Sequence, residues 1–87
     1  MVEHYIGPVL RNIRKGTGFT QEQLAEALSK KLGYKIRQPY ISKLELGTTK
    51  ASLARLQLIC SILGRRLSYL IAAAESIQQQ DDDSQFG

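Results

Sequence analysis

Thr20-Gln21-Glu22-Gln23-Leu24-Ala25 and, fourteen residues further on, Tyr40-Ile41-Ser42-Lys43-Leu44-Glu45-Leu46-Gly47 describe two short amphipathic helices in succession. Thr20 followed three residues later by Gln23 is a capping-box pattern, and Phe19 is placed to staple onto Leu24 across the cap. Leu24, Ala25, Leu28 and Leu32 then keep an apolar stripe at helical spacing until Gly33, a residue suited to the left-handed C′ position. Lys30, Lys31 and Lys35 gather at this C-terminal end, where the helix dipole favours cations. Tyr34-Lys35-Ile36-Arg37 reads as a connector. Pro39 suits the first turn of the next helix, whose inward positions are Ile41 and Leu44 and which Gly47 closes.

The flanking segments are helical too. Val9, Leu10 and Ile13 mark one face of a preceding helix, with Pro8 expected in its first turn and Gly16 and Gly18 ending it. A fourth helix starts at the cap Ser52 and carries Leu53, Leu56, Ile59, Cys60 and Leu63 up to Gly64. Residues 65–75 admit two readings. Leu67, Leu70, Ile71 and Ala74 have helical spacing, whereas Leu67, Tyr69 and Ile71 alternate as in a short C-terminal strand over 66–71; Ala72-Ala73-Ala74-Glu75 favours helix by propensity. Residues 78–87, with three glutamines and then three aspartates, are polar and low in complexity. They are expected to form a disordered acidic tail behind a single domain at 1–77.

Composition narrows the function. Eighty-seven residues with 43% apolar content and few aromatics fill one core and leave little material for an enzyme cleft. Cys60 is the single cysteine, so neither an intramolecular disulfide nor a multi-cysteine metal site is expected. Its apolar surroundings in sequence read as a small buried hydrophobe. His4 has no partner cysteine or acid at useful spacing, and no glycine-rich phosphate loop follows a strand, so neither catalysis nor a cofactor is expected. The formal charge is +4; residues 1–77, with twelve basic and five acidic side chains, carry +7. A basic domain of this size attracts polyanions. No apolar run approaches the roughly 20 residues of a membrane span, and Met1-Val2-Glu3-His4-Tyr5 lacks a signal peptide's basic and apolar regions, so the expected location is the cytoplasm.

Leu10-Arg11-x-x-Arg14, Gly18-Phe19-Thr20-Gln21-Glu22-Gln23-Leu24-Ala25 and Tyr40-Ile41-Ser42-Lys43-Leu44-Glu45-Leu46-Gly47 together resemble the phage repressor and Cro-like helix-turn-helix regulators, the Xre family, over about residues 6–71. The resemblance implies an all-α, five-helix, lambda-repressor-like domain that binds double-stranded operator DNA. With Ile41 and Leu44 inward, Gln38, Ser42 and Lys43 face outward, with Arg37 at the start of the recognition helix, about 38–46. Glutamine pairs bidentately with adenine and Lys or Arg with guanine in the major groove. Pro39 has no donor to offer and either packs on a thymine methyl or simply starts the helix. Gln21 matches a family residue that contacts a backbone phosphate at a helix N-terminus, and Thr48, Thr49 and Lys50 match a loop holding the groove's other flank. Arg14 and Glu45 match a partly buried ion pair of structural role.

The chain departs from the family between Leu24-Ala25 and Ile41-Ser42, where it carries about six residues beyond the usual tight turn. The simplest accommodation lengthens the second helix through Lys31 and adds a loop at Gly33–Arg37, read equally as extra phosphate contacts or as a tolerated insertion. A regulator of this kind is expected to act as a homodimer on two half-sites, with Tyr69, Leu70 and Ile71 either in the dimer interface or in the intramolecular core. A compatible alternative is a HipB-type antitoxin, which binds its own operator and a toxin partner. In that group the segment after the fourth helix is a strand shared across the dimer, and the tail's Phe86 is a candidate anchor on a partner.

Overall fold

The computed structural model describes residues 3–86, with side chains from Tyr5 to Gln80. Five helices follow one another: α1 (Glu3–Gly16), α2 (Gln21–Leu32), α3 (Gln38–Leu46), α4 (Leu53–Ile62) and α5 (Leu67–Phe86). There is no strand among the described residues. The side chains of His4 and Phe86 lie outside them, as does Gly87.

The helix limits follow from local chemistry. Thr20 Oγ1 accepts from the Gln23 amide at 3.0 Å while Gln23 Oε1 accepts from the Thr20 amide at 3.0 Å, so both halves of the capping box are made. Gly33 (φ 79°) stops α2 in the left-handed region that glycine alone enters without cost. The connector to α3 is five residues long, 33–37, as the stretched turn requires. Ser52 Oγ accepts from the Arg55 amide at 3.1 Å and starts α4.

Two expectations are corrected and one open reading is decided. Pro8 is not in the first turn: α1 begins at Glu3, so Pro8 is its sixth residue. Only one turn precedes it, its side is exposed, and Tyr5 and Ile6 pack on the core, which anchors the added turn against one missing hydrogen bond. Of the two readings of 65–75 the helical one holds, and Leu67 opens α5 in place of the alternative strand at 66–71. Leu70 and Ala74 are fully buried, with Leu67, Ala73 and Ile77 partly buried beside them, a 3–4 spacing that only a helix delivers to one face. Backbone helix also continues through 78–86, where a disordered tail was expected. The run from Ala72 to Gln80 contains strong helix formers and no glycine or proline to stop it.

The core is built from Leu10, Leu24, Leu28, Ile41, Ile59 and Leu70, all with no exposed surface. Each such side chain contributes about 1.5–3 kcal/mol through burial. Leu70 is thereby part of the intramolecular core, whereas Tyr69 remains 54% exposed and Ile71 half-buried. Gly7 lets α1 cross the C-terminal end of α3 closely: a Cβ there would lie 2.5 Å from the Glu45 carbonyl oxygen and 2.6 Å from that of Leu44. No single helix among the described residues is long and apolar enough to cross a membrane.

Candidate nucleic-acid interface

Glu45 is the hub of the surface formed by α2 and α3. Its side chain is 2% exposed and accepts from Arg14 Nε at 2.6 Å and Arg14 Nη2 at 3.0 Å, a two-pronged ion pair between α3 and α1. Arg14 Nη1 also donates to the Phe19 carbonyl at 2.8 Å, tying in the turn before α2. Both charges are therefore buried and satisfied, the condition under which such a pair is tolerated.

The hub reaches outward through two glutamines. Gln21 Nε2 donates to Glu45 Oε1 at 3.0 Å, and Gln38 Nε2 donates to Gln21 Oε1 at 2.6 Å. The amide orientations follow from hydrogen-bond logic: a carboxylate only accepts, so Gln21 must turn its NH2 inward and its oxygen toward Gln38. Gln38 in turn spends one N–H on Gln21. Its Oε1 has no hydrogen-bond partner among the described residues, leaving one acceptor and one donor side by side at the start of α3.

The other sequence-selected residues take up distinct places. Arg37 is the N-cap residue of α3, extended (φ −102°, ψ 156°) and exposed, with no side-chain capping bond. Pro39 is exposed in the first turn. Ser42 lies one turn beyond Gln38 and is half-buried; Lys43 lies one turn beyond Pro39 and is exposed. Gly47 (φ 79°) ends α3, its amide reaching Leu44 O and that of Thr48 reaching Lys43 O at 3.0 Å. The Thr48 hydroxyl donates to the same Lys43 carbonyl at 3.3 Å. Thr49 and Lys50 belong to a separate hollow, shared with Ile6, Leu44 and Leu46. The structure thus joins Gln21 directly to Gln38, leaves Arg37, Pro39 and Lys43 exposed with Gln38 and Ser42 half-buried, and sets Thr49 and Lys50 beyond the far end of α3.

Two arrangements escaped the sequence. The bond between Gln21 and Gln38 spans seventeen positions and the one between Gln21 and Glu45 twenty-four, separations at which no periodicity operates. The second is Arg55, in the first turn of α4. Its guanidinium lies 5.9 Å from the Tyr34 ring centroid and 5.6 Å from that of Tyr40, and donates to both hydroxyls, at 3.3 Å for Tyr40. Those bonds raise the Arg55 pKa, the one to Tyr40 most.

Two successive helices joined by a connector, the second with an open polar edge, match the helix-turn-helix family over residues 10–70. The chain belongs to that family. The helix-turn-helix is α2 and α3, and its family and fold are those of DNA-binding regulators. Two crystal structures of the clp gene regulator ClgR from Corynebacterium glutamicum are similar to it. One is 28% identical with a TM-score of 0.76, covering 87% of this chain and 90% of that one. The other is 27% identical with a TM-score of 0.75, covering 95% of this chain and 85% of that one. No curated protein matches the chain at a significant level.

Proposed function

We propose that this helix-turn-helix protein is a sequence-specific transcriptional regulator, acting as a repressor and as a homodimer on double-stranded operator DNA. The observation that carries the reading is Gln38: an amide held from behind by Gln21, at the N-terminal end of the second helix of the motif, with a donor and an acceptor left over. Recognition helices meet base edges with that end, and an adenine offers the complementary pair in the major groove. Lys43 supplies a cation one turn further along, suited to a guanine. Gln21, Arg37, Ser42, Thr48, Thr49 and Lys50 complete the surface as positioning and phosphate contacts, and Pro39 packs against the groove. Similarity to the clp gene regulator supports a role in transcription.

Residues 1–77 form the DNA-binding unit, and 78–87 an acidic appendage. A HipB-type antitoxin with a toxin partner is a second reading compatible with repression, although the segment that such a protein would share across the dimer as a strand is a helix here. Dimerisation rests on the geometry of operators, whose half-sites lie about 34 Å apart.

The test selects an operator from a random library and compares Gln38→Ala and Lys43→Ala on that operator and on random DNA. Base reading predicts that operator preference is lost while general affinity largely survives. Equal losses on both DNAs overturn it. Sedimentation of the complex should give two chains per operator; one chain would refute the homodimer.

A further inference from the structure

The five-residue connector between α2 and α3 is a built element. Ser29 Oγ accepts from the Ile36 amide at 2.7 Å and is within donating distance of the carbonyls of Ala25, at 2.8 Å, and Ile36, at 3.1 Å. Ile36 packs on the core. Tyr34 is held by Arg55, which it shares with Tyr40 of α3. Residues 35–37 have no helical or turn structure. Holding Tyr34 and Ile36 fixes the backbone that carries Lys35 and Arg37. Both are exposed, and both line a hollow with Gln38 and Pro39 at the start of α3.

We infer that this connector is a preorganised grip on the DNA backbone, with Lys35 as its phosphate-binding cation and the Tyr34–Arg55–Tyr40 cluster as the clamp that fixes it. The inference rests on the DNA-binding reading above and extends the footprint past the recognition helix. The α2 wall of the hollow carries Glu22 and Glu26, the latter 3.7 Å from Lys30. The phosphate is therefore accepted on the connector side, where the charge is positive. A mobile lysine pays side-chain and backbone entropy on binding; here the backbone part is already spent within the fold.

The experiment measures binding of a short duplex of arbitrary sequence by fluorescence anisotropy across a salt series. Lys35→Gln should lower affinity and reduce the slope of log K against log salt by about 0.9, the value for one phosphate contact. Tyr34→Ala changes no charge and is more than half exposed in the native protein. It should flatten the slope in the same sense and add nothing further in the Lys35→Gln background. Ser29→Ala, which frees Ile36 from α2, is a second charge-neutral variant expected to act alike, with circular dichroism confirming that each variant is folded. A steep wild-type slope that Lys35→Gln leaves unchanged overturns the grip but not DNA binding. A Lys35 effect with unchanged slopes in both neutral variants overturns the clamp. A flat wild-type titration overturns the DNA-binding reading, and this inference with it.

Discussion

Gln38 Nε2 donates to Gln21 Oε1 at 2.6 Å, so the first residue of α3 and the first residue of α2 hold each other across the helix-turn-helix. Each side chain fixes the other's rotamer, and neither acts alone. Gln21→Ala and Gln38→Ala should therefore be strongly non-additive on a selected operator, with a coupling of about 0.5–3 kcal/mol in a double-mutant cycle. Additive losses would show that the two amides work independently.

The ion pair behind them should dominate stability. Glu45→Ala leaves Arg14 buried without its partner and is expected to cost about 3–5 kcal/mol. For a domain of this size that corresponds to a melting temperature lower by roughly 12 °C or more. The double replacement Arg14→Met with Glu45→Leu removes both charges and should recover a large part of the loss. If it melts below Glu45→Ala, the cost lies in packing and not in the orphaned charge.

Alanine should have opposite effects at the two glycines of α1. At Gly7 the new Cβ meets backbone oxygens of α3 at 2.5 and 2.6 Å, which cannot rotate away. The overpacking cost of about 1–3 kcal/mol or more outweighs a helix-propensity gain of about 0.8–1.0 kcal/mol. Gly16 has open space around its Cβ position, so Gly16→Ala should stabilise by about 0.4–1 kcal/mol. Chemical denaturation checks both; equal shifts would mean that the α1–α3 approach is not limiting.

Cys60 gives the fold an alkaline limit. Burial pushes its thiol pKa up, so the native state favours the neutral form. As pH rises past the ordinary thiol value of about 8.5, the unfolded chain ionises first and is stabilised relative to the native one. Stability should be complete below that range and fall as pH climbs from it toward the higher native pKa. Cys60→Ala loses packing at every pH but should lack this component. Parallel pH–stability curves for the two proteins above about pH 8.5 would contradict it.

The residues that start and stop helices were readable because their effect is local. Thr20 with Gln23, Gly33, Gly47 and Ser52 each act within a few positions, and each does what its neighbours in sequence predict. The burial of Ile41 and Leu44, and hence the outward side of α3, follows from periodicity in the same way. Pro8 misled because a proline marks helix starts by preference only, and the packing of Tyr5 and Ile6 overrode it. At 67–71 two periods fitted equally well, and the contact of α5 with α1 chose between them. The links among Arg14, Glu45, Gln21 and Gln38, and the seat of Arg55 between Tyr34 and Tyr40, join residues brought together only by the finished fold. Their types were visible; their partnership was not.

Glu45 has a practical consequence for genetics. Because one carboxylate both fastens α1 to α3 and lies behind the amides of Gln21 and Gln38, a selection for variants that lose the proposed repression of a reporter would return Glu45 and Arg14 beside the surface residues. Phenotype alone would rank two buried side chains as DNA contacts. Measuring the soluble level of each variant separates the classes: lesions at the hub should deplete the protein, whereas lesions at Lys43, if it reads bases as proposed, should leave the protein abundant but unable to choose its site.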